Sequence, residues 1–335
     1  MDPKGDTSIR RRWVAGLVVL VTVGATGAGL EWRRARGAAC APERALVLEL
    51  AGVYRTELPI PPRAIAPLGD SLFLAVGPDG ALTWLGAPVP GPGLGLDLQR
   101  IYRGVSGSRG LALAYTDNEV FGLPAGSDLW RTLAIDDSLR MLRIAEPVGD
   151  GRTLWLVAGS AREIQVTRAE RGTGSEYRPG RVWHLDGNWR LRPREDGSAL
   201  AFGTRLPFEV VRLGPDEAVE VLGRVADSPL FRAFPDSAAP FVVGAVSLDC
   251  DRVLLTVADL RSPERRLVAL DAANGAVLKI TAMQGTLGFF ASRPERRVLF
   301  GYRDTTDGGE VLVYRWTWQD QHPGTRASPA EGGEP

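Results

Sequence analysis

Asp251-Arg-Val-Leu-Leu-Thr-Val-Ala-Asp-Leu-Arg-Ser-Pro-Glu-Arg-Arg-Leu-Val-Ala-Leu-Asp-Ala-Ala-Asn-Gly-Ala-Val-Leu-Lys-Ile280 is the stretch that decides the fold. It holds three short apolar runs rich in β-branched residues, Val253–Leu260, Leu267–Leu270 and Ala276–Ile280. A polar break at Arg261–Arg266 and an Asp271-Ala-Ala-Asn-Gly275 turn separate them. Short apolar runs divided by turn chemistry are the signature of antiparallel strands, so the segment reads as a meander.

The same grammar runs through most of the chain. Ser71–Val76 and Ala81–Leu85 flank a Gly77-Pro-Asp-Gly80 turn, a strong hairpin signal. Leu111–Tyr115, Glu119–Leu123, Thr153–Val157, Val182–Leu185, Ala199–Phe202, Phe241–Val246 and Val311–Trp316 are further strands. No amphipathic helix interrupts them, so the expected class is all-β. At about 45 residues per four-stranded blade, residues 45–318 make about six blades, within a range of five to seven. A β-propeller accommodates this many strands better than a sandwich does. A first strand at 45–50 is placed to complete the last blade and close the ring. Pro263-Glu-Arg-Arg266 and Pro294-Glu-Arg-Arg297, with Pro42-Glu-Arg44, read either as echoes of a repeat or as similar turns in an arginine-rich chain.

Composition narrows the function classes. The chain has 335 residues, 40 basic and 40 acidic, and no net charge, which gives no footprint for a nucleic-acid partner. The bases are almost all arginine, Lys4 and Lys279 excepted; planar ion pairing and a GC-rich genome both account for that. His184 and His322, Cys40 and Cys250 are too scattered for a zinc site. His184 has no identifiable nucleophile to serve, and the chain has no Gly-x-Ser-x-Gly elbow and no phosphate-cradling loop. Asp304-Thr-Thr-Asp-Gly-Gly-Glu310 lacks the alternating acidic spacing of a calcium loop. The expectation is a non-enzymatic chain with no catalytic, cofactor-binding or metal residue and no cofactor.

The N-terminal region has a different character. A basic tail, residues 1–12, precedes the uncharged run Trp13–Leu30, and Trp32 closes the segment. Residues 13–32 are expected to form one transmembrane helix, with Trp13 and Trp32 roughly 28 Å apart at helical rise, near one hydrocarbon thickness. A cleaved signal peptide is the rival reading, with Ala25-Thr-Gly27 as its cleavage site. Basic residues tie across the span; a short basic tail is easier to leave in the cytoplasm. The large domain is therefore expected across a bacterial inner membrane, in the periplasm. Gly24 with Ala28, and Ala25 with Gly29, form small-residue pairs that let another membrane helix approach. Residues 33–44 read as a linker and 319–335 as a disordered tail. Cys40 and Cys250 are either two unrelated thiols or a disulfide; as a bridge they would stabilise by about 5 kcal/mol in the chain-entropy model. The polar stretch Ala169–Gly180 reads as a long loop, and Arg168, Arg171, Arg178 and Arg181 as a partner-contact surface on it, with a plain solvated loop as the alternative. The Pro/Gly-rich stretch 86–97 is a second such loop.

Leu267-Val-Ala-Leu-Asp-Ala-Ala-Asn-Gly-Ala-Val-Leu278 resembles the repeat of quinoprotein-type (pyrroloquinoline-quinone-like) β-propellers: apolar strand, Ala-Leu-Asp, an Asn-Gly turn, then strand. Val120-Phe-Gly-Leu-Pro-Ala-Gly-Ser-Asp-Leu-Trp130 is a looser copy that keeps the Leu-Trp ending. Quinone-bearing members of that family are larger and commonly carry a vicinal cysteine pair, which Cys40 and Cys250 are not. The resemblance thus implies a non-catalytic scaffold propeller of a bacterial envelope. The function expected is an accessory or scaffold subunit, anchored in the membrane, binding other proteins of a larger respiratory, photosynthetic, secretion or assembly complex. The alternative is a small-ligand-binding or quinoprotein-like oxidoreductase propeller that uses its central channel.

Overall fold

The computed structural model describes residues 44–56, 62–68, 72–86, 96–97, 99–133, 141–160, 162–173, 176–194, 196–214, 216, 218–231, 240–249, 251–259, 262–283, 288–305 and 308–320. The chain forms two compact units. One is residues 48–317; the other is residues 1–47 with 318–335, whose described part is the ends of two strands.

Residues 48–317 are a ring of six antiparallel sheets. Blade 1 holds β2 (Ala64–Pro67), β3 (Leu72–Val76) and β4 (Leu82–Gly86); blade 2 holds β5 (Gly104–Gly107), β6 (Leu111–Tyr115), β7 (Val120–Pro124) and β8 (Arg131–Leu133). Blade 3 holds β9 (Leu142–Val148), β10 (Thr153–Gly159), β11 (Glu163–Arg171) and β12 (Tyr177–Asp186); blade 4 holds β13 (Trp189–Pro193), β14 (Ala199–Gly203), β15 (Glu209–Leu213) and β16 (Val219–Arg224). Blade 5 holds β17 (Pro240–Ser247), β18 (Arg252–Asp259), β19 (Ser262–Asp271) and β20 (Val277–Met283). Blade 6 is β21 (Gly288–Arg293), β22 (Val298–Thr305) and β23 (Gly308–Asp320), and its outermost strand is β1 (Arg44–Thr56) from the other end of the sequence. The ring therefore closes as the strand at 45–50 led one to expect. Strands β2, β5, β9, β13, β17 and β21 come first in their blades and neighbour one another in a closed circuit, which makes them the wall of the central channel.

The core lies between blades, and this explains why the strands read as unbroken apolar runs. In β10, Leu154, Leu156 and Ala158 pack towards blade 2, while Trp155 and Val157 pack towards blade 4. In β3, Leu74 and Val76 face blade 2, while Phe73 and Ala75 face blade 6. A sheet covered on both faces buries both residues of each pleat, so polar alternation disappears. Phe73 sits edge-on to Phe300 at 5.6 Å across the seam where the ring closes. Backbone bonds tie adjoining blades, among them Gly110 N–H to Gly149 O at 3.0 Å and Val242 N–H to Thr204 O at 3.0 Å.

The turns follow their local chemistry. Asp271 Oδ1 accepts from the Ala273 amide at 2.8 Å and Asn274 Oδ1 from the Ala276 amide at 2.9 Å, while Gly275 takes a positive φ of 73°. That is why Asp-x-x-Asn-Gly marks the bend between β19 and β20. Both segments that resemble the quinoprotein repeat fall at the same place in their blades, from the third strand into the fourth.

Two expectations need correction, and one open alternative is narrowed. Ala169–Gly180 is not a long loop: Ala169, Glu170 and Arg171 pair with Pro179, Arg178 and Tyr177, so β11 and β12 form a hairpin. Its polar residues are tolerated because β12 is the outermost strand, with only one neighbour to satisfy. Pro263-Glu-Arg-Arg266 lies within β19, the third strand of its blade, whereas Pro294–Arg296 is a 3-10 turn between first and second strands, so the two are not echoes of one repeat. Strand β23 also runs through Gln319 and Asp320, which the sequence had assigned to the tail. Residues 321–335, the span at 13–32 with Trp13, Gly24, Ala25, Ala28, Gly29 and Trp32, both Cys40 and Cys250, and loop residues 87–95 lie outside the described residues. Among the described residues no helix is long and apolar enough to cross a membrane.

Candidate functional site: the two mouths of the channel

Because each wall strand is the first of an antiparallel meander, all six enter the channel from the same mouth, here the proximal one, and finish at the distal mouth. The proximal mouth opens into a cavity of about 130 Å³. Arginine stands at the start of the wall strand in four consecutive blades. Arg63 and Arg103 immediately precede β2 and β5, and their amides bond the Val76 and Tyr115 carbonyls at 2.8 Å each. Arg143 and Arg190 are the second residues of β9 and β13. Arg192 follows on the same face of β13 as Arg190, since side chains two apart in a strand point the same way. Val243 and Phe290 complete the lining on blades 5 and 6.

The five guanidinium groups are satisfied to different degrees. Arg103 holds Asp117 in a two-pronged bond, Nε to Oδ1 at 2.6 Å and Nη2 to Oδ2 at 2.7 Å. That bond pulls the Asp117 carboxyl below its ordinary pKa. Arg143 Nη1 donates to Asn188 Oδ1 at 2.8 Å. Arg192 Nη1 donates to Glu146 Oε1 at 2.9 Å on the neighbouring wall strand β9, and its Nε donates to the Ala245 carbonyl. Arg190 differs: its Nε is sealed from solvent with no acceptor, and among the described residues it has no ion-pair partner. Burial, and then the neighbouring Arg192 charge, push the Arg190 pKa down. Arginine starts so high that it stays a cation. Tyr115, buried beside it and bonded to the Ala145 carbonyl, has its pKa raised by burial and is a neutral phenol. Glu146 is the one carboxylate among the described residues lining this cavity. With Asp117 offsetting Arg103, the described residues of the proximal mouth carry three more positive charges than negative ones.

The distal mouth is larger, about 220 Å³, and differs in chemistry. Ser106, Ser108, Ser247 and Ser292 line it together with Arg109, Arg293 and Glu295, while Ile65, Val105, Glu146, Arg192 and Phe290 are shared with the proximal side.

None of this arginine arc was singled out from the sequence. The signal was present: Arg63, Arg103, Arg143 and Arg190 recur at about 40 to 50 residues, the length of one blade. The arginines that were singled out lie elsewhere. Arg168 is half-buried at the base of the β11–β12 hairpin, with Nη2 to Glu170 at 2.6 Å and Nη1 to the Gly197 carbonyl at 3.2 Å. Arg171, Arg178 and Arg181 are exposed on the same hairpin. His184 is an exposed residue of β12, with Nδ1 3.5 Å from Glu163. Asp304 and Gly309 face each other across the β22–β23 hairpin, an ordinary reason for an acidic, glycine-rich turn.

No protein-family model matches the chain, and no curated protein matches it in sequence. Solved structures are similar to it at low identity. The β-propeller domain of Myceliophteria thermophila Cps50 (Swd1) is 10% identical, covering 75% of this chain and 82% of its own, with a TM-score of 0.47. The WD40 β-propeller domain of Doa1 is 10% identical over 81% of this chain and 97% of its own, with a TM-score of 0.43. A putative TolB from Agrobacterium tumefaciens is 13% identical over 65% of this chain and 83% of its own, with a TM-score of 0.43.

Proposed function

We propose that the chain is a non-catalytic propeller of the quinoprotein-like scaffold type, an accessory subunit that binds other proteins of a larger membrane or envelope complex. In this reading residues 13–32 cross the bacterial inner membrane and residues 45–318 stand in the periplasm, with Gly24, Ala25, Ala28 and Gly29 packing against a partner helix.

The observation that supports partner binding is the outer strand of blade 3. From Arg178 to Val182, five successive residues of β12 are exposed, two of them arginines, on a sheet edge that no other described strand pairs with. An outer strand with a free edge offers backbone donors and acceptors to an added strand, and arginine is over-represented where proteins meet. The uncharged run Trp13–Leu30 supports the anchor.

The test is purification of the full chain from membranes in mild detergent, wild type beside Arg178→Glu/Arg181→Glu. Membrane subunits are expected to co-purify with the wild type and to be lost, by tenfold or more, from the double variant. A chain that elutes alone, or partners retained in full by the variant, contradicts the reading.

A further inference from the structure

The proximal mouth combines features that a structural role leaves unexplained. Arg190 is a cation whose Nε is buried without an acceptor, on the same strand face as Arg192, and Glu146 is already engaged by Arg192. A buried donor left unsatisfied is a standing cost, larger when the group is charged. Two guanidinium groups two residues apart also repel each other. A bound anion would supply the missing acceptor and offset the like charge. Arg143 and Arg63 face the same cavity, and no carboxylate among the described residues offsets either of them.

The arrangement is lopsided around the ring. Blades 1 to 4 present the arginines, while blades 5 and 6 contribute Val243, Gly244, Phe289 and Phe290 to the lining. The cavity of about 130 Å³ is close to the size of one that holds a benzene ring, roughly 150 Å³. The guanidinium fork matches two oxygens of one carboxylate or phosphate, which a point charge does not.

We propose that the proximal mouth binds a compact organic anion, its carboxylate or phosphate oxygens on Arg190 and Arg143 and its apolar side against Phe290 and Val243. The site shares no residue with the segment 13–32 or with the exposed stretch of β12, so each proposal survives the failure of the other.

Calorimetric titration of the full chain in detergent at low salt tests it with three probes. Phthalate carries two carboxylates on an aromatic ring, inorganic phosphate carries charge alone, and benzyl alcohol carries the ring alone. Phthalate is expected to bind with a dissociation constant below about 1 mM, phosphate about tenfold more weakly, and benzyl alcohol not measurably. Arg190→Gln should weaken phthalate and phosphate alike by tenfold or more, and Arg190→Lys should recover only part of that. Arg63→Gln, at an exposed position outside any core, should weaken both by about threefold with the fold intact, so a folding failure of the Arg190 variants leaves the test standing. Phe290→Ser should weaken phthalate and leave phosphate unchanged. Absence of binding by both anions, or binding indifferent to Arg190 and Arg63, overturns the site; equal affinity for phosphate and phthalate overturns its apolar half.

Discussion

The two mouths of the channel are built from the opposite ends of the same six strands, yet they differ in kind. The distal mouth is the larger, at about 220 Å³ against about 130 Å³, and its charges nearly balance. The proximal mouth is smaller, and among the described residues it carries three more positive charges than negative ones, one on a guanidinium whose Nε has no acceptor. Size alone would direct attention to the wrong end. A hydroxyl-lined opening is well solvated and asks for no ligand, whereas concentrated like charge with an unsatisfied donor does.

Glu146 sits between the two mouths, and replacing it should have the largest effect on the contrast. Glu146→Gln removes the carboxylate partner of the largely buried Arg192, and leaving a charge behind in such a place is costly. A loss of about 2 to 3 kcal/mol in unfolding free energy is expected by chemical denaturation. Anion binding at the proximal mouth should strengthen in the same variant, because the surplus rises by one. A variant that is destabilised and also binds anions more weakly would break the assignment.

The next effect belongs to the distal rim. A Cβ at Gly110 would stand 2.6 Å from the Asp150 backbone of the adjoining blade, where Gly110 also bonds Gly149. Backbone cannot swing aside as a side-chain tip can, so Gly110→Ala should cost about 1 to 3 kcal/mol by the same measurement while leaving proximal anion affinity unchanged. Coupling of the two would show that the mouths are not independent.

The smallest effect is a pH dependence. The Asp117 carboxyl is held below its ordinary pKa by Arg103, so its contribution to stability is fully present above the unfolded value, about pH 4, and fades as pH falls through the lower folded value. Both side chains are nearly half exposed, so solvent screening keeps the loss below about 1 kcal/mol. Protonation also frees Arg103 to join the surplus. Sulfate, which remains a dianion there, should bind about twofold tighter below pH 4 than at neutrality; titration calorimetry reads the change.

The fold was largely legible because its strands obey two local rules. Covered on both faces, segments such as Leu111–Tyr115 and Phe73–Val76 read as unbroken apolar runs, and the turns between them carry Asp, Asn and Gly where backbone donors need acceptors. The first half of the outer strand β12 was not legible, since Arg178-Pro-Gly-Arg181 is exposed and has no packing demand to show. The arginine arc was hidden for another reason. Its members are a blade apart in sequence and meet only when the ring closes, so no short motif contains them.

An anomalous-scattering map from crystals of the full chain soaked in selenate at low salt tests the contrast between the mouths most directly. The account predicts a selenium peak at the proximal mouth, within hydrogen-bond reach of the Arg190 guanidinium and lost in Arg190→Gln. A peak confined to the distal mouth beside Arg109 or Arg293, or an empty channel, would contradict it.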